Sequence, residues 1–109
     1  MRSAYPPVQI NPGVAPEVKT VTGIQGAHID GAADASQGHV VCVVGPTPSL
    51  SGTIVLQFPS APPTLFVASS QVSTIVSTST VNVTIAWTAI APLVPGTKFL
   101  IAYEWAVTQ

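Results

Sequence analysis

Residues 80–87 read Thr-Val-Asn-Val-Thr-Ile-Ala-Trp, and residues 97–107 read Thr-Lys-Phe-Leu-Ile-Ala-Tyr-Glu-Trp-Ala-Val. Both alternate with a period of two. Val81, Val83, Ile85 and Trp87 share one parity in the first run. Phe99, Ile101, Tyr103, Trp105 and Val107 share one parity in the second. Successive Cβ atoms of an extended chain point to opposite faces, so this pattern specifies strands with one buried face and one open face. Pro95-Gly96 supplies a turn between the two runs.

Weaker runs of the same kind precede them. Thr53–Phe58 places Ile54, Leu56 and Phe58 together, Thr64–Ser69 places Leu65 and Val67 together, and Gln71–Ser77 carries Val72, Ile75 and Val76. His39–Val44 is apolar at both parities, which predicts a central strand covered on both sides. A short strand is expected near Val18–Ile24, followed by a long loop through Asp30-Gly31. Gly and Pro recur between the runs at Gly45-Pro46, Gly52, Pro59 and Pro62-Pro63. Short strands punctuated in this way predict an all-β sandwich or barrel. With 109 residues the chain has room for one such core.

Residues 1–19 read differently. Pro6, Pro7, Pro12 and Pro16 exclude a helix or a central strand there. Tyr5, Val8, Ile10 and Val14 give the segment apolar anchors. The expected organisation is an extended arm, 1–19, and a β-sandwich body, 20–109. The arm either docks on a neighbouring chain through those four residues or is a disordered terminus.

The surface is expected to be nearly neutral. Three Lys or Arg and four Asp or Glu make only 6% of the chain, with a net charge of −1. A typical soluble domain is about 25% charged. So little charge gives weak mutual repulsion, and a covered surface is the simplest reason to tolerate it. Arg2, Lys19 and Lys98 are scattered, which disfavours nucleic acid as a partner. The apolar windows are short or broken by Pro92 and Pro95, so no membrane-spanning helix is expected. The first residues lack a continuous apolar stretch of signal-peptide type, and synthesis and assembly in a cytoplasm is the expectation.

Groups for catalysis are few. His28, Asp30, Asp34 and His39 form the densest cluster, but their spacing fits no compact metal motif, and the two Asp suit turns. No metal and no cofactor are expected. Cys42 lies within Val40-Val41-Cys42-Val43-Val44 and points away from His39, which predicts a small buried side chain rather than a nucleophile. Glu104 is expected to point outward, where it could pair with Lys98 of its own or another chain. The aromatic residues Trp87, Trp105, Tyr103, Phe99, Phe66 and Phe58 would suit a sugar-stacking platform. Their alternation with Val and Ile instead makes core the expectation, with Cys42, Trp87, Phe99, Tyr103 and Trp105 as its structural members. No Gly-x-Ser-x-Gly elbow or phosphate-binding loop is present, and no enzyme is expected.

The Pro-rich start with Tyr5-Pro6-Pro7, the Ser/Thr/Val strands such as Val72–Val83 and the strand ending in Phe99–Val107 resemble the small capsid cement, or decoration, proteins of tailed bacteriophages. The resemblance is one of texture over most of the chain and rests on no diagnostic motif. It implies a β-sandwich, jelly-roll or β-tulip body. It further implies a homotrimer on an icosahedral head, an arm bound to the major capsid protein or other virion subunits, and location in the virion after assembly in the host cytoplasm. The alternatives are another virion part, such as a connector, tail or fibre component, an immunoglobulin-like carbohydrate-binding or adhesion module, or, last in order, a small enzyme.

Overall fold

The apolar parity of each run becomes one wall of a single core. In a computed structural model, residues 14–30, 33–34, 36–61 and 65–105 are described, and they form eight strands and no helix. These are β1 (Glu17–Val21), β2 (Gly26–Ile29), β3 (Gln37–Val43), β4 (Ser51–Gln57), β5 (Leu65–Ala68), β6 (Val72–Ser79), β7 (Asn82–Ala89) and β8 (Lys98–Trp105). They build two four-stranded antiparallel sheets, ordered β1-β4-β7-β6 and β2-β3-β8-β5.

The sheets share their apolar side chains in a sandwich-like arrangement. From the first sheet come Ile54, Leu56, Val72, Val83, Ile85 and Trp87, and from the second Val40, Cys42, Leu65, Phe99, Ile101 and Tyr103. Edge-on aromatic contacts link the two. Trp87 meets Phe99 with ring centroids 6.4 Å apart, and Phe58 meets Tyr103 at 6.0 Å. Such T-shaped pairs set the positive ring edge against the negative face.

Four sequence expectations change. The long loop after the first strand contains β2, whose Gly26–Ile29 pairs with Val43–Val40 of β3. That strand has little apolar alternation of its own and is held by its neighbour's ladder. Second, β3 is central in its sheet but covered on one side only. Val40 and Cys42 are fully buried, while Val41 and Val43 are half-buried on the outer face. Third, β1 begins at Glu17, so residues 17–19 belong to the body and not to the arm. Fourth, Pro95-Gly96 does not close a hairpin between β7 and β8. These strands lie in opposite sheets, and the connection carries the chain from one to the other. Its turn is still of the expected kind. Gly96 has φ +83°, and Thr97 N–H donates to the Val94 carbonyl at 3.2 Å, as in a type II turn with Pro at its second position.

Two glycines seat the largest core residue. Gly52 stands opposite Trp87 in the β4–β7 ladder, and a Cβ there would lie 2.8 Å from the indole Cζ2 and collide with the Thr22 carbonyl. Gly23, at φ +88°, would bring a Cβ within 2.7 Å of the same atom. Backbone thus packs directly on the ring.

Candidate interaction surfaces

The residues with chemistry separate once the strands are placed. His28, Asp30 and His39 come to the same outer face of the second sheet. His28 stands opposite Val41, and Asp30 N–H donates to the His39 carbonyl at 3.0 Å. Asp34 does not join them. Its Oδ1 accepts from Ser36 N–H (2.9 Å), Ser36 Oγ (2.8 Å) and Gln37 N–H (3.0 Å), and these bonds hold its carboxyl below its usual pKa. It is a turn-forming residue, as its type suggests. Among the described residues no three His, Cys, Asp or Glu are grouped to hold a metal ion.

Cys42 is fully buried, and burial pushes its thiol up to about 12. At neutral pH the nucleophilic thiolate is therefore scarcely populated. His39, three positions before it, is exposed on the opposite face. Glu104 is exposed on β8, as expected. Among the described residues the ion pair within the chain is Lys19–Glu17, at 3.6 Å and largely exposed, rather than Glu104 with Lys98 of its own chain.

The aromatic residues divide unequally. Trp87, Phe99, Tyr103 and Phe58 are buried, whereas Phe66 is 61% exposed. The side chain of Trp105 lies outside the described residues, as do Tyr5, Val8 and Ile10. Val14 is described and exposed. The Trp87 indole N–H is buried without a hydrogen-bond partner among the described residues.

Exposed apolar side chains remain at the surface in three places. On the outer face of the second sheet, exposed Leu100 stands opposite half-buried Val41, with Val43 opposite Lys98 beside them, while exposed Phe66 stands apart, opposite Glu104, four residues along β8 from Leu100. On the outer face of the first sheet, Ile75 is 75% exposed among Ser73, Ser77, Thr84 and Thr88. At one end of the sandwich, Leu50, Ile90 and Val94 are all more than 60% exposed on adjoining loops. Those loops are tied together: Ala89 N–H donates to the Leu50 carbonyl at 2.7 Å, and Gly96 N–H to the Val44 carbonyl at 2.9 Å. Sequence reasoning missed this end cluster. The signal was the apolar run Ala89–Val94, which continues past the end of β7 into the loop.

Compared with protein-family models, curated proteins and solved structures, the chain matches none.

Proposed function

We propose that the protein is a non-enzymatic structural component that packs against other protein subunits, in the manner of a capsid cement or decoration protein. The observation that carries this reading is the exposed apolar set Leu50, Phe66, Ile75, Ile90, Val94 and Leu100 on a body of almost no charge. Exposed apolar side chains grouped together, as Leu50, Ile90 and Val94 are on adjoining loops at one end, mark surfaces that other molecules cover. A lattice-bound protein repeats its contacts many times, so modest affinity per site suffices. On this reading the arm residues Tyr5, Val8 and Ile10, with Val14, add grip on the major capsid protein or other virion subunits. The chain then acts as a homo-oligomer in the virion, having been made in the host cytoplasm. The trimer comes from the cement-protein resemblance alone.

The test is co-sedimentation with assembled particles, comparing wild type with Phe66→Ser/Leu100→Ser and with a chain lacking residues 1–13. Both variants should stay folded and bind less. Wild-type protein that is found only free of particles would overturn the reading.

The strand order favours one further reading. β1-β4-β7-β6 runs as A-B-E-D does in an immunoglobulin sandwich, and β5 pairs with β8 as C pairs with F. β3 then occupies the place of G, arriving from a hairpin inserted between the first two strands of that order. Such bodies also serve as adhesion or carbohydrate-binding modules, and Phe66 is the exposed ring that would stack on a sugar. Binding on a glycan array that Phe66→Ala abolishes would favour this reading over the first.

A further inference from the structure

The four sheet edges are not alike. β1 follows Pro16, carries Glu17 and Lys19, and its register against β4 shifts between Val18 and Thr20. β2 and β5 are four residues each. Charge, irregular register and shortness are the features by which edges avoid pairing with other chains. β6 has none of them. It runs for eight residues, Val-Ser-Thr-Ile-Val-Ser-Thr-Ser, with no charge and no proline, in unbroken register with β7. Among the described residues no strand pairs with its other side.

We propose that this edge is a strand-pairing site for β6 of a second copy, antiparallel about a two-fold axis at Ile75. The inference shares Ile75 with the functional reading above but does not rest on it, and this two-fold contact is distinct from any trimer contact.

The backbone phase selects the register. Ile90 N–H donates to the Gln71 carbonyl at 3.0 Å. Antiparallel bonds recur at every second residue, so Ser73, Ile75, Ser77 and Ser79 share that phase and bond to β7. Val72, Thr74, Val76 and Thr78 therefore direct their N–H and C=O groups away from β7, toward the open edge. Centring the pair on Ile75 sets Thr74 against Val76 of the second copy and Val72 against Thr78. Every one of those backbone groups then finds a partner. Centring on Val76 would set Val72 against Thr80 in the turn. Centring on Thr74 would set Thr78 against Ser70, ahead of the strand.

The side chains agree with this register. Ile75, the most exposed large apolar residue described, meets its own copy. The two occupy a non-hydrogen-bonded position, where Cα atoms approach to about 4.5 Å. Ser73 meets Ser77 on the same face. A strand without charge pairs with itself free of repulsion, and it offers nothing to a partner recognised through charge. One strand pair buries less than the roughly 1,200–2,000 Å² of a stable interface, so the association should depend on concentration. The contact is isologous, the commonest kind in homo-oligomers.

Cysteine cross-linking of the full-length chain tests the register. Under mild oxidation Ile75→Cys should give a disulfide-linked dimer as the main product, since the Cα spacing suits a disulfide. Ser77→Cys alone should not link, but should link when mixed with Ser73→Cys. Cys42 is buried and serves as the silent control. In sedimentation velocity, Ile75→Lys should lose the concentration-dependent association of wild type while keeping its melting temperature. No linkage at Ile75→Cys, or linkage of Ser77→Cys to itself in preference, overturns the proposal. So does association undiminished in Ile75→Lys.

Discussion

The hydroxyl of Tyr103 donates a 2.6 Å hydrogen bond to the backbone carbonyl of Asp34, 69 positions earlier in the chain. The bond ties the β2–β3 connection to the inner face of β8. Gly38 lies directly beneath it, where a Cβ would stand 2.8 Å from the Tyr103 hydroxyl and collide with Ala33. The phenol is thus buried among apolar neighbours with its one polar atom satisfied, which is how a large amphipathic ring enters a core without penalty.

Tyr103→Phe removes that bond and leaves the Asp34 carbonyl without it. The expected loss is about 0.5–1.5 kcal/mol, read by urea denaturation. The pH profile gives a second signature. Burial, and then the Asp34 charge, push the Tyr103 hydroxyl up to about 12 from an ordinary 10. The folded state keeps this proton where the unfolded chain has lost it. Its contribution is therefore complete below pH 10 and falls as pH rises from 10 to 12. Tyr103→Phe should lose this part of the alkaline slope and keep the part due to Cys42, whose thiol is shifted in the same direction.

Gly52→Ala should destabilise by about 1–3 kcal/mol, because the added methyl meets the Thr22 carbonyl and the Trp87 ring, and neither is a flexible side-chain end. Equilibrium unfolding measures it. A neutral result would mean that the indole is not seated against this backbone.

Trp87→Ala should cost about 3–5 kcal/mol, since the side chain is 1% exposed in the core between the two sheets. Retained stability with lost ligand binding would instead make Trp87 a surface platform. Trp87→Phe should be milder, because it also removes the unpartnered indole N–H.

Thr80→Gly should stabilise. Thr80 holds φ +51° in the two-residue turn between β6 and β7, a left-handed conformation that costs a β-branched residue roughly 1–2 kcal/mol. Glycine adopts it freely but gives back about 0.5–1 kcal/mol in chain entropy. A net gain of about 0.5 kcal/mol or more is expected in the midpoint of thermal or urea unfolding.

By itself the sequence determined the structural class and the buried face of β7 and β8. The alternation in β7 and β8 was enough to bury Val83, Ile85, Trp87, Phe99, Ile101 and Tyr103 together, because strand geometry ties parity to face. Cys42 and His39 were separable on the same ground, being three positions apart. The neutral composition also implied in advance a surface with few charges. Alternation says nothing about which strand lies beside which. Only the tertiary structure decided that β7 and β8 belong to opposite sheets, that β4 sits between β1 and β7, and that β6 is left as a long unprotected edge. These pairings are between positions far apart in the chain, and they are chosen by the closure of one shared core. The same reason explains β2. Gly-Ala-His-Ile carries too little apolar pattern to declare a strand, and it becomes one because β3 offers it an open ladder.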